Sequence, residues 1–423
     1  MIYLVIAFAV LLVIGVPIAF ALGLAGMVGI VDRGFPLVTV PTRMFTGIDS
    51  FILLSAPFYI LAGEVMNRGG VTDRLIRFAQ LITRGLRGGT AYANTLASII
   101  FAGISGTAIA DTAALGQVFI KGMPKEGYTK EFAAAVTVAG SMIGPIIPPS
   151  VIMVIFAAVS RVSVIDLFLA GVVPGFLLAL AVAVVIFFKG RGGGLPVSRI
   201  DVTRREVPRM ALDTALVVSL PLFIVVGTLS GTFTATEAGG VAAVYAMILG
   251  FAVFRNLDLK GLWEALIVSA RTTSSLFLII AAATVVSYVL ALSGINKFTG
   301  DLAHIFGGEP IFFMLAVMAG LLFIGCFLEP GAAIVLFVPL LFPVARTMGI
   351  DLLQFSMLVI LTLTMGLITP PVGVCLFVAC KIGDMKISTL VKALAPFFLA
   401  EVCVIVLIIL IPGLSSWLPG LFH

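Results

Sequence analysis

The sequence predicts an all-α polytopic membrane protein built from two inverted-topology repeats, each with a re-entrant helical hairpin and a broken transmembrane helix. Three observations carry that reading. Of 423 residues, 61% are hydrophobic and 11% charged, too few polar groups to coat a water-soluble globule. Hydrophobic runs of about 20 residues or more recur from end to end, the pattern of transmembrane helices. One break also occurs twice: Gly144-Pro145-Ile146-Ile147-Pro148-Pro149 is answered 222 residues later by Gly366-Leu367-Ile368-Thr369-Pro370-Pro371. The same offset carries Phe101 onto Phe323, Gly103 onto Gly325, Pro174 onto Pro396 and Phe176 onto Phe398. Helix-breaking residues in lipid are tolerated only where the freed backbone is buried in protein or lines a wet cavity. Paired interruptions in two halves of a chain point to the binding site of a secondary transporter.

The elements follow in order. Residues up to Val31 carry no charge and no basic leader segment, so they are expected to form a retained first span. Of 25 Lys and Arg, 20 fall in five clusters, around Arg68–Arg87, Lys121–Lys130, Lys189–Arg209, Arg255–Arg271 and Lys381–Lys392. The positive-inside rule places all five in the cytoplasm, which leaves Arg33, Arg43, Arg161, Lys297 and Arg346 outside. Spans at 50–67, 131–160, 164–188, 211–230, 236–254, 272–292, 352–380 and 394–412 then alternate in direction without conflict. The N-terminus is cytoplasmic on this reading and His423 external. Amphipathic stretches at 72–87 and 257–270 are expected to be interfacial helices.

Residues 90–121 and 310–345 are each too long for one span: a straight helix of that length would reach about 45 Å. Each breaks near its middle, at Gly103-Ile104-Ser105-Gly106-Thr107 and at Gly325 through Gly331 with Pro330. Re-entrant hairpins are expected, the first entering from the cytoplasm and the second from outside. Four regions result: an N-terminal scaffold with an interfacial helix (1–89); a first transport repeat (90–189); a linker and second scaffold part (190–309); and a second repeat (310–423). The repeats hold the hairpins 90–121 and 310–345 and the broken helices 131–160 and 352–380.

Half-helices that end at mid-membrane offer free amides at N-termini for a carboxylate and free carbonyls at C-termini for Na⁺. One cation site is expected where the tip (Gly103, Ser105, Gly106, Thr107) meets the break (Gly144, Ile147, Pro149). A second is expected from Gly325 and Glu329 against Gly366, Thr369 and Pro370. Ser105, Thr107, Asp111, Pro148, Ser150, Thr369 and Pro371 are the candidates for contact with substrate. Asp111 and Glu329 are carboxylates at membrane depth, costly to bury and so functional candidates; Glu64, Glu237 and Glu401 are read as packing or capping groups. Na⁺ is the expected coupling ion, with no other cofactor.

The four cysteines (Cys326, Cys375, Cys380, Cys403) lie in hydrophobic segments without metal-ligand spacing and are expected as buried thiols. His304 and His423 both fall outside the spans, which removes Ser-His and zinc chemistry from the membrane. No Walker-type phosphate loop is present, so the chain is not expected to hydrolyse ATP through one. An enzyme is not expected. The net charge of +5 sits in clusters that flank spans, and lipid rather than nucleic acid is the expected neighbour. A channel remains as an alternative, as does a stand-alone Na⁺- or H⁺-coupled dicarboxylate symporter.

Four runs resemble the large membrane subunit of the tripartite ATP-independent periplasmic (TRAP) transporters: Gly103 through Asp111, Ile147-Pro148-Pro149-Ser150, Gly231 through Ala238, and Gly366 through Gly373. The family usually has Pro where Ala235 stands. The resemblance implies a Na⁺-coupled elevator-type transporter in the bacterial inner membrane, carrying an organic acid such as a C4-dicarboxylate, sialic acid or a sugar acid. It further implies a small four-helix membrane partner and a periplasmic substrate-binding protein.

Overall fold

The computed structural model describes residues 2–191, 193–198, 205–292 and 308–422. Lys297, His304, His423 and the linker positions Arg199 and Arg204 lie outside the described residues. The first helices are α1 (Ile2–Val13), α2 (Ile18–Asp32), α3 (Thr39–Ile48), α4 (Ser55–Arg68) and α5 (Val71–Ile82). The single first span expected from the sequence is in fact a pair, with α1 packed on α2. Gly15, at φ +87°, and Pro17 turn the chain between them, because glycine accepts left-handed backbone and proline has no amide to continue the helix. Most of the stretch 72–87 falls in α5, whose one face (Val71, Leu75, Ile76, Ala79) is buried in the protein.

Repeat one opens with a hairpin of α6 (Gly89–Ser105) and α7 (Ala108–Gly122), packed on each other. Their 17 and 15 residues make arms of about 25 and 22 Å. A broken helix follows, α8 (Lys130–Ser141) and α9 (Val151–Ser160), then α10 (Val164–Arg191). Residues 193–198 of the linker run beside the approach to α6: Gly88 N donates to Pro196 O at 2.8 Å, and Arg87 bridges Val197.

Between the repeats lie α11 (Val207–Leu229), α12 (Ala235–Ile248) with a π-helical turn at Leu249–Val253, and α13 (Leu259–Leu292). Residues 257–270 are therefore not a separate interfacial helix; from Leu259 they are the start of α13, which runs 34 residues. No proline interrupts it, and its early charge is paired: Arg68 Nη1 donates to Glu264 Oε2 at 2.6 Å. α13 packs on α2, α3 and α4, and α4 on α12, which makes these helices one frame.

Repeat two is α14 (Pro310–Gly325), α15 (Pro330–Thr347), α16 (Leu352–Gly366), α17 (Val374–Gly383) and α18 (Ile387–Leu410), followed by α19 (Gly413–Gly420). The starts of α7 and α15, and of α8 and α16, differ by the offset of 222 read from the sequence. Thr129 and Asp351, at equivalent positions, cap α8 and α16, and both breaks hold a cis bond, Pro148–Pro149 and Pro370–Pro371. The repeats interlock: α9 packs on α15 while α17 packs on α7, and α8 meets α18 while α16 meets α10. Among the described residues, six helices are long and apolar enough to cross a membrane: α10, α11, α12 with its π turn, α13, α15 and α18. Cys326, Cys375 and Cys380 are buried as expected; Cys403 is exposed, on the outward stripe of α18.

Candidate substrate and cation site

Each hairpin tip rests against the break of its own repeat. In repeat one, Gly106 takes φ +58° to turn the chain from α6 into α7. A Cβ on Gly106 would lie 2.9 Å from Pro149 O, and one on Gly103 3.4 Å from Pro148 O, so the break's carbonyls face the tip. Those carbonyls have no helical donor, because residues 142–150 leave the helix and three prolines in that stretch lack amides. In repeat two, a Cβ on Gly325 would lie 3.1 Å from Gly366 Cα, which brings backbone against backbone.

Polar side chains of the first tip serve several roles. Ser105 Oγ donates to Asp111 Oδ1. Asp111 is fully buried and its Oδ2, packed on Gly144, has no hydrogen-bond partner among the described residues. Thr107 caps α7, its Oγ1 accepting from Ala110 N at 3.4 Å. Ser150 caps α9: its Oγ accepts from Met153 N at 3.3 Å and donates to Pro145 O at 2.5 Å. Glu329 caps α15, accepting from Ala332 N at 3.3 Å.

A cavity of about 510 Å³ lies between the tips and the frame. From repeat one it is lined by Phe101, Ser105, Thr107, the first turn of α7, and Val151, Ile152 and Ile155 of α9. Repeat two adds Glu329, Pro330 and Leu367. The remaining wall is frame: Glu64 and Asn67 of α4, and Thr272 and Ser275 of α13, with apolar neighbours.

Of the candidate residues, Ser105, Thr107 and Glu329 thus reach one shared cavity. Gly103, Gly106, Gly144, Pro148, Pro149 and Asp111 stand behind them in the first tip and break, and Gly325 and Gly366 in the second. Ile147 points elsewhere, toward Gly175 on α10. Thr369 bonds back to Met365 O at 2.7 Å, and neither it nor the exposed Pro370 and Pro371 lines the cavity. Glu64, read as a packing group, stands on the cavity wall 3.8 Å from Arg68. Its only sequence signal was a carboxylate within a hydrophobic span. Glu237 does cap: with Thr234 it forms a reciprocal capping box at the start of α12. Glu401 is buried, and neither carboxyl oxygen has a hydrogen-bond partner among the described residues.

Half-helix starts converge on this space. The first amides of an α-helix have no intrahelical acceptor and carry partial positive charge. Thr107 and Ser150 occupy one each, which leaves other first-turn amides of α7 and α9 for an anion. Among the described residues, no Lys or Arg lines the cavity.

Residues 5–414 match the family model described as the tripartite ATP-independent periplasmic transporter, DctM component. The chain is similar to the sialic acid TRAP transporter large permease protein SiaM of Vibrio cholerae, 35% identical over 416 residues and covering 97% of this chain and 96% of that one. It is also similar to the C4-dicarboxylate TRAP transporter large permease protein DctM of Pseudomonas aeruginosa, 36% identical, with coverage of 89% and 88%. In fold it resembles the YdaH transporter of Alcanivorax borkumensis, with a TM-score of 0.67 at 14% identity over 91% of this chain and 89% of that one. The fold, the doubled tips and breaks and these matches agree: the chain belongs to the DctM family, the large permease component of TRAP transporters.

Proposed function

We propose that the chain is the transport subunit of a Na⁺-coupled uptake system for an organic acid, with sialic acid and C4-dicarboxylates as the first substrates to try. One observation carries the reading: two hairpin tips from opposite repeats meet at a single cavity of about 510 Å³ whose other wall is the frame. The substrate carboxylate is met by the amide ends of α7 and α9, since the lining residues include no basic side chain. Na⁺ travels as cargo between each tip and its break; in repeat one the break's carbonyls lack helical donors and Asp111 has an unpartnered oxygen among the described residues. The hairpins and broken helices move as one body against the frame, so the cavity faces either side in turn. A small membrane subunit docks on the frame, and a periplasmic receptor delivers substrate from outside.

The test is uptake by the chain reconstituted with its small subunit and receptor. Uptake is expected to require Na⁺, and Ser105→Ala is expected to raise the Na⁺ concentration needed by about tenfold or more, the worth of one charge-assisted hydrogen bond. Uptake driven equally well by a proton gradient without Na⁺ would overturn the coupling. Robust uptake of free substrate by this chain alone would overturn the need for partners and favour a stand-alone symporter.

A further inference from the structure

A second cavity, of about 260 Å³, opens where α5 meets the start of α11. Its walls are nearly all charged: Arg74 and Arg77 from α5, then Glu206, Arg209 and Asp213, with Met210. Arg74 is held in place by two contacts. Its Nη1 donates to Asp213 Oδ2 at 2.7 Å, and its guanidinium lies over the Phe254 ring, 4.4 Å from the centroid. That clamp leaves Arg74 Nε buried without an acceptor. Arg77 and Arg209 are exposed and stand in no ion pair among the described residues. Three guanidiniums against two carboxylates leave one positive charge in excess, which a singly charged phosphodiester cancels. The planar fork of arginine also matches phosphate oxygens in geometry.

We propose that this pocket binds the phosphate of an anionic phospholipid. Its place favours a lipid over free phosphate. The pocket is formed at the first turns of α11, an apolar helix of 23 residues long enough to cross a bilayer, which is the depth of a headgroup. Along the side of α11 that continues from Arg209, Leu212 and Phe223 are exposed, at 60% and 44%, and give acyl chains an apolar track. Basic pockets between membrane helices recognise anionic headgroups through this chemistry. The bound lipid ties α5 to α11 at the edge of the hairpin, since both helices also pack on α6.

The experiment is native mass spectrometry and thermal unfolding of the purified, delipidated full chain with its small subunit, titrated with phosphatidylglycerol or phosphatidylcholine. Phosphatidylglycerol is expected to bind and to raise the unfolding temperature, and phosphatidylcholine to do neither. Arg77→Gln with Arg209→Gln is expected to weaken phosphatidylglycerol binding about thirtyfold, from about fivefold for each arginine near a membrane surface. Both side chains are exposed, and unfolding of the lipid-free variant at the wild-type temperature checks that the fold is intact. Equal binding of both lipids, or undiminished binding by the double variant, would overturn the site. Displacement of phosphatidylglycerol by millimolar inorganic phosphate would overturn the lipid assignment in favour of a free anion.

Discussion

Replacing Gly366 by alanine tests the meeting of tip and break in repeat two. The added Cβ would sit within 2.5 Å of Gly325 Cα and of its carbonyl oxygen. Carbon atoms in contact sit about 3.5–4.0 Å apart, so the two backbones must part by about 1 Å or more. No flexible side chain can yield there, since both neighbours are main chain. Overpacking of a core costs about 1–3 kcal/mol, and this site belongs at the upper end, about 3 kcal/mol. Gly320, also on α14, is the control: a Cβ there meets nothing within 4 Å. Removing a glycine from an open helix position stabilises by about 1 kcal/mol, so the two substitutions should move stability in opposite directions. Thermal unfolding in detergent reads the sign, and Na⁺-dependent uptake per folded molecule should fall for Gly366→Ala alone. Equal unfolding temperatures and equal uptake for the two variants would refute the close approach of the tip and break.

Gly106→Ala should cost about 2 kcal/mol or more, because residue 106 has φ +58°, which penalises any Cβ, and that Cβ would also lie 2.9 Å from Pro149 O; chemical denaturation of the purified chain measures it. Glu264→Gln should change unfolding by less than about 1 kcal/mol, although its 2.6 Å pair with Arg68 joins α4 to α13, because the Glu264 side chain is 47% exposed. Ser287 Oγ on α13 donates to Val335 O on α15 at 2.9 Å, a direct contact between frame and hairpin. Cysteines at Ser287 and Val335, joined by a short thiol cross-linker in a chain cleared of its own cysteines, should abolish uptake while leaving Na⁺ binding in place. Full uptake by the cross-linked protein would sink the moving-body mechanism.

What was legible in the sequence is what backbone chemistry writes into single residues. Pro148, Pro149, Pro370 and Pro371 mark breaks because proline has no amide, and Gly103 and Gly325 mark close approach because no other residue fits. Boundaries set by neighbours were not legible in the same way. Lys260 and Arg271 suggested an interfacial segment, yet α13 continues through them as one helix packed along α2, α3 and α4. The frame side of the cavity was missed for a similar reason. Asn67, Thr272 and Ser275 are ordinary polar residues on helix faces, and only the docking of α4 and α13 turns them toward the tips. The repeat itself also misleads in one respect, since its two halves match in element order but not in chemistry at the tips. The offset carries Ser105 onto Phe327, Thr107 onto Glu329 and Asp111 onto Ala333. One carboxylate is thus sealed inside the first hairpin against Ser105, while the other caps α15 on the cavity wall. A cation at the first tip would meet a buried carboxyl group with one free oxygen; at the second, a carboxyl already shared with a helix end. The two tips thus share a place in the repeat but not their side chains.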